Sequence, residues 1–243
     1  MRLAAALRSS IPPALGALVA ALALVTRPSA ALADEPADAG DEAPLAAPAA
    51  DGAAPYEPAW CAPELETLPG DICYAPMPAP RASSPADAPP RRRTLVIFLH
   101  GLTQANTTWQ YSLERGVAMF GKRLGYAMLA PKGKAGIGPG KKADVIAWPT
   151  GIEAQREHES AMLDAILDAK KTIEQREGAP FDEVFVMGFS NGAYYASSLA
   201  IRGRLDVDGY AVFAGGSAPK GTERIARATK DRKPVFVGVA SRD

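Results

Sequence analysis

Val184-Phe185-Val186-Met187-Gly188-Phe189-Ser190-Asn191-Gly192-Ala193 is the stretch that decides the fold. Its first four residues are apolar without alternation, the pattern of a strand covered on both faces. The small residues from Ala193 to Ala200 suit a helix packed closely on its neighbours. Between strand and helix stands Gly188-Phe189-Ser190-Asn191-Gly192, a G-x-S-x-G in the context that gives the motif meaning. A turn this tight presents a serine hydroxyl above the C-terminal edge of a sheet. Side chains at the flanking positions would collide with the adjacent strand and helix, so Gly188 and Gly192 form the elbow. The Asn191 N–H sits at a helix N-terminus, where developing negative charge is favoured. Ser190 is the candidate nucleophile; a close-packed turn without chemistry is the bland alternative.

The same apolar signature recurs at Leu95 to Leu99 and Val235 to Ala240, with shorter runs at Tyr126 to Ala130 and Tyr210 to Ala214. Helices are expected over Ser112 to Leu124, Glu153 to Glu177, Asn191 to Arg202 and Thr222 to Lys230. In the longest, Met162, Ile166, Ala169 and Ile173 make one apolar stripe. Strands and helices alternating at this spacing predict an α/β, doubly wound, mostly parallel sheet. Upstream, Leu65 to Leu68 and Ile72 to Pro76 flank the turn Pro69-Gly70-Asp71 and predict an edge hairpin. The domain plan is an edge hairpin and loop over residues 59–90, then the α/β domain over 91–243.

Leu95–Leu99 runs into His100-Gly101-Leu102. With Phe98-Leu99-His100-Gly101 and Gly188-Phe189-Ser190-Asn191-Gly192 together, the chain resembles the α/β-hydrolases. Within them it looks most like secreted esterases of the polyhydroxyalkanoate-depolymerase and feruloyl-esterase-like kind. Ile72-Cys73-Tyr74-Ala75-Pro76 is similar to the edge strand that precedes the His-Gly strand there. The resemblance spans roughly residues 65–243. It implies hydrolysis of a carboxylic ester, a polymer among the candidates, through an acyl-serine intermediate. It also implies that His100 and Gly101 open the oxyanion loop and that the N–H of Leu102 is the second oxyanion donor beside Asn191. A serine peptidase of the same fold and a non-catalytic secreted binding protein are the competing functions.

The resemblance places the acid after a late strand, which is Asp243, and a histidine beyond it. The sequence has two histidines, neither after Asp243. His100 belongs to the oxyanion loop and His158 to the start of the long helix, so neither falls where the base belongs. Two readings stay open: a piece of a longer reading frame, with the sheet's last strand and helix to follow, or an inactive relative. On the first, the strand ending at Ala240 lacks its neighbour and would invite aggregation.

Residues 1–33 read as an export signal: Arg2 and Arg8, then apolar Ala14 to Val25, then Ala31-Leu32-Ala33 before Asp34. Pro12, Pro13 and Gly16 argue against a stable membrane span, although an uncleaved anchor is the alternative. Residues 34–58 are rich in Ala, Pro, Asp and Glu and read as a linker. The destination is secreted or periplasmic, an oxidising place in which the only cysteines, Cys61 and Cys73, are expected to pair. Closing so short a loop stabilises by about 2–3 kcal/mol. Two cysteines with no nearby histidine cannot complete a zinc shell, so no metal is expected.

Lys and Arg number 27, as do Asp and Glu, so no net field favours nucleic acid or an anionic membrane. The glycine-rich Pro131 to Lys142 segment fails as a phosphate loop: Ala135 and Lys142 stand where Gly and Ser/Thr are required. No cofactor is expected, and a flexible cationic rim is. Trp109 and Trp148 are assigned to loops, as pocket walls or core. Asn106 is read as a helix cap or, in Asn106-Thr107-Thr108, a glycosylation acceptor.

Overall fold

The computed structural model describes residues 58–79, 91–216 and 222–239. The expected export signal (1–33), almost all of the expected linker, the expected 81–90 loop and Asp243 lie outside the described residues. The elements in chain order are β1 (Glu66–Leu68), β2 (Ile72–Ala75), β3 (Thr94–Leu99), β4 (Thr103–Gln104), α1 (Trp109–Leu124), β5 (Ala127–Ala130), β6 (Lys134–Ala135) and β7 (Val145–Ala147). Then follow α2 (Ile152–Glu177), β8 (Glu183–Phe189), α3 (Asn191–Arg202), β9 (Gly209–Phe213), α4 (Thr222–Ala228) and β10 (Val235–Gly238).

The main sheet has the order β1-β2-β5-β3-β8-β9-β10. From β5 to β10 every pairing is parallel, while β1, β2 and β5 pair antiparallel. Strand β3 lies at the centre, and alternate residues enter different layers. Leu95, Ile97 and Leu99 pack with Leu163, Ile166 and Ile173 of α2 and with Ala196 and Leu199 of α3. Val96 and Phe98 join Val117 and Phe120 of α1 on the opposite face. Both faces are covered, so strands that are apolar on every residue are the physical requirement. The fold is the expected α/β, doubly wound, mostly parallel sheet.

Helices α1 and α2 stop where Gly125 and Gly178 take left-handed backbone, at φ 91° and 72°. Helix α2 is fastened to the end of α3 by buried Glu159, whose oxygens accept from Arg202 at 3.0 and 2.5 Å and from Arg204 at 2.9 Å. A carboxylate this buried is tolerable only with such pairing.

The boundaries differ in instructive ways. Helix α1 begins at Trp109, three residues before the apolar pattern does, so Trp109 is helical and 71 % exposed. The residue preceding it is Thr108, with no side-chain cap bond, so Asn106 is not the cap. The Pro131 to Lys142 segment is more than a flexible rim: β6 pairs with β7, and β7 with β4, in a second small antiparallel sheet. Its glycines hid a strand of two residues. Met162 is only half-buried, and Leu163 takes its place in the α2 stripe. At the far edge, the β10 register puts Val235 and Val237 beside Tyr210 and Val212, yet they are 46 % and 58 % exposed.

Candidate active site

Strand β8 delivers its chain to Ser190, whose N–H donates to Phe213 O of β9 at 2.9 Å. Helix α3 starts on the next residue, so Ser190 alone absorbs the change of direction, at φ 51° and ψ −116°. The geometry explains the two glycines. A Cβ on Gly188 would stand 2.3 Å from Gly192 O. One on Gly192 would stand 2.1 Å from Leu99 O and 2.6 Å from His100 O. The elbow is therefore pressed onto the end of β3, and the two motifs meet: a Cβ on Gly101 would lie 3.3 Å from Ser190 Cβ. Asn191 heads α3, where a first-turn N–H has no acceptor in its own helix.

His100 is buried between Trp60 and Trp148, with ring centroids 4.9 and 5.1 Å away. Burial pushes its imidazole down to about 4, so it is neutral at physiological pH. Both ring nitrogens are committed. Nε2 accepts the Gly133 N–H at 3.0 Å, which leaves Nδ1 as the protonated nitrogen, 2.5 Å from Gly101 O. Gly101 O also accepts from the Thr103 hydroxyl at 3.4 Å. The peptide joining Gly101 to Leu102 is planar, so fixing its carbonyl fixes the Leu102 N–H on the other side. His100 thus holds the turn and has no nitrogen left for the Ser190 hydroxyl.

Trp148 ties the two turns together, and the sequence reading assigned it no such role. Its main-chain N–H donates to Asn191 Oδ1 at 2.7 Å, and its indole N–H donates to His100 O at 2.9 Å. The indole stacks on Tyr195 of α3 at 5.7 Å. Trp148 is fully buried, so of its two readings the core one holds. The available signal was a tryptophan at the end of the apolar run Val145-Ile146-Ala147.

His158 lies on α2, its side chain 13 % exposed and Nε2 3.4 Å from Glu157. Among the described residues no imidazole stands against Ser190. Cys61 and Cys73 form a disulfide. The strap it anchors is bound to α1: Ala62 N–H donates to Glu114 at 3.0 Å, and Gln110 donates to Trp60 O at 2.8 Å. That strap seats Trp60 against His100. Burial pushes the Glu114 carboxyl up to about 7, partly offset by the Ala62 N–H. Among the described residues there is no cluster of His, Cys, Asp or Glu that would hold a metal, and no helix is long and apolar enough to cross a membrane.

No sequence-family model matches the chain, and no curated protein does. Solved structures overlap it distantly. YahD with malic acid matches at 11 % identity and a TM-score of 0.41, over 70 % of this chain and 89 % of that one. FphF, a fluorophosphonate-binding serine hydrolase of Staphylococcus aureus with substrate bound, matches at 13 % identity and 0.41, over 69 % and 72 %. A thermostable esterase matches at 20 % identity and 0.37, over 68 % of this chain and 42 % of its own. Overlaps this distant transfer no chemistry to the chain.

Proposed function

We propose that the chain carries the nucleophile half of a serine hydrolase that cleaves carboxylic esters through an acyl-serine intermediate. The observation behind this is the Ser190 backbone, a non-glycine residue at φ 51°, ψ −116° between a buried strand and a helix N-terminus. Such conformations cost about 1–3 kcal/mol, persist only where the surroundings enforce them, and gather at active sites. The strain here falls on one serine at the C-terminal sheet edge, next to the turn that follows β3.

In this reading Ser190 Oγ attacks the ester carbonyl and gives its proton to a base. The N–H groups of Asn191 and Leu102 hold the carbonyl oxygen as it takes up charge. The alcohol leaves with that proton, and water then releases the acid and restores the serine. Asp243 is proposed to orient the base. His100 is committed to Gly133 and Gly101, and His158 to the α2 surface, which supports a base other than either. Exposed Leu102, Trp109 and Tyr194 on elements leaving the same sheet edge support an apolar or polymeric ester. The export signal and the disulfide support action outside the cytoplasm.

A second reading, a non-catalytic hydrolase-like binding protein, is favoured by one observation: no imidazole faces Ser190 among the described residues. A fluorophosphonate probe separates the two. With the full-length protein, labelling mapped to Ser190 and lost in Ser190→Ala is expected, together with hydrolysis of a p-nitrophenyl ester. A folded protein that takes up no probe would overturn the hydrolase reading and favour the binding one.

A further inference from the structure

A crevice of about 260 Å³ opens between the β1–β2 turn, the segment after β5 and the N-terminal half of α2. All three meet at the C-terminal edge of the sheet, because β2 runs antiparallel to β5. Ser190 does not line it. Its walls include Ile72, Pro131, Met162, Ala165, Ile166 and the buried Trp148. Lys132, Lys134, Glu157 and His158 also line it.

One of the acids nearby is already taken. Asp71 holds Lys132 at 2.8 Å, whereas Glu157, its side chain 75 % exposed, pairs with neither Lys132 nor Lys134. Lys134 has no acidic partner within ion-pair distance among the described residues, so one unpaired ammonium borders a largely apolar slot. At the ~30 Å³ that each molecule takes in liquid water, the slot has room for about eight or nine heavy atoms. That is below the range of drug-sized sites, about 300–1,000 Å³. A phosphate or sugar would leave the apolar walls unfilled, and a plain hydrocarbon would leave the ammonium unanswered.

We infer that this crevice is a second binding site, for a short aliphatic carboxylate whose chain lies against Met162 and Ala165 and whose carboxylate meets Lys134. The site does not depend on Ser190 being a nucleophile. Its consequence rests on the hydrolase reading: the ligand is then of the class that ester hydrolysis releases. Trp148, fully buried behind the crevice, holds both His100 O and Asn191 Oδ1, so the site lies next to the residue that fastens both turns around the serine.

Calorimetric titration of the full-length protein with sodium hexanoate tests the inference. Saturable binding of one equivalent is expected, with acetate and hexan-1-ol each at least about tenfold weaker. Lys134→Glu, an exposed position that folding does not require, should weaken hexanoate by about tenfold or more. Ala165→Phe, which fills the slot, should abolish binding, whereas Ser190→Ala should leave it unchanged. Absence of saturable binding overturns the site, as does equal affinity for the alcohol or indifference to Lys134→Glu. Loss of hexanoate binding in Ser190→Ala would place the ligand at the serine instead. Phosphonate labelling at Ser190 is read separately, so either idea can fail alone.

Discussion

Gly192 has no room for a methyl group. The β3 carbonyls that a Cβ would strike, Leu99 O and His100 O, are backbone atoms at the end of a central strand and cannot rotate away. Gly192→Ala is therefore expected to cost about 3 kcal/mol or more, at or beyond the upper end for overpacking. A chemical-denaturation midpoint within error of the parent would refute it. Two buried titratable residues make a second prediction at this scale. His100, lowered from its ordinary ~6.5 to about 4, is neutral in the fold while the unfolded chain is protonated. Its contribution is complete above about pH 6.5 and is lost as pH falls towards 4. Glu114, raised to about 7 by burial, behaves oppositely: its contribution is complete below about pH 4.3 and is lost as pH rises towards 7. Each amounts to about 3 kcal/mol, so the two nearly cancel between pH 4.5 and 6.5. Glu114→Gln removes one of them. Its stability relative to the parent should climb by about 3 kcal/mol from pH 4.5 to 7, since the neighbouring Glu64 and Arg115 are common to both proteins. A difference that stays flat across that range would mean that Glu114 is ionised in the fold.

The strap over residues 58–62 is the element whose purpose depends on what it touches. Cys61 joins it to β2, Glu114 and Gln110 join it to α1, and Trp60 reaches His100. Removing the disulfide restores the entropy of a 12-residue separation, a loss of about 3 kcal/mol in the chain-entropy model. Cys61→Ser with Cys73→Ser should lower the melting temperature and red-shift Trp60 emission; an unchanged spectrum would show that α1 alone holds the strap. The sequence displayed the framework of this region because its signals are local: Pro69-Gly70-Asp71 forces a turn, and two cysteines have no choice of partner. It displayed the elbow because glycine is obligatory wherever a Cβ would enter a neighbouring backbone. The Trp148 hub was not legible. Its bonds to Asn191 and His100 span 43 and 48 residues, and no periodicity encodes contacts at that range. The small sheet of β4, β7 and β6 escaped for a related reason, since strands of two or three residues are too short to show alternation.

Across the whole molecule, apolar cover is uneven. Strands β3, β5, β8 and β9 are enclosed by α1 on one face and by α2 and α3 on the other, whereas among the described residues β10 has a neighbour on one side only. Phe236 on its α1 face packs against Phe213, with ring centroids 6.0 Å apart. The other face is not closed: Val235 and Val237 are exposed by 46 % and 58 %, and Val239 by 81 %. Helix α4, the last helix before that strand, buries none of its residues and leaves these valines exposed. Unpaired backbone groups beside a row of β-branched side chains make a template for strand addition. The 243-residue chain is therefore expected to self-associate, with light scattering that rises with protein concentration and with salt, because hydrophobic contact survives screening while charge repulsion does not. Val237→Lys should suppress it, since a charge on an edge strand opposes pairing in either direction, and should cost little stability at a half-exposed position. The elbow lies on β8, with β9 between it and β10, so in the full-length protein Val237→Lys should leave phosphonate labelling at Ser190 unchanged. A parent chain that stays monomeric at high concentration would show that this edge is covered in solution. Association that Val237→Lys leaves untouched would move the sticky surface elsewhere, to other exposed apolar residues such as Leu102 and Trp109.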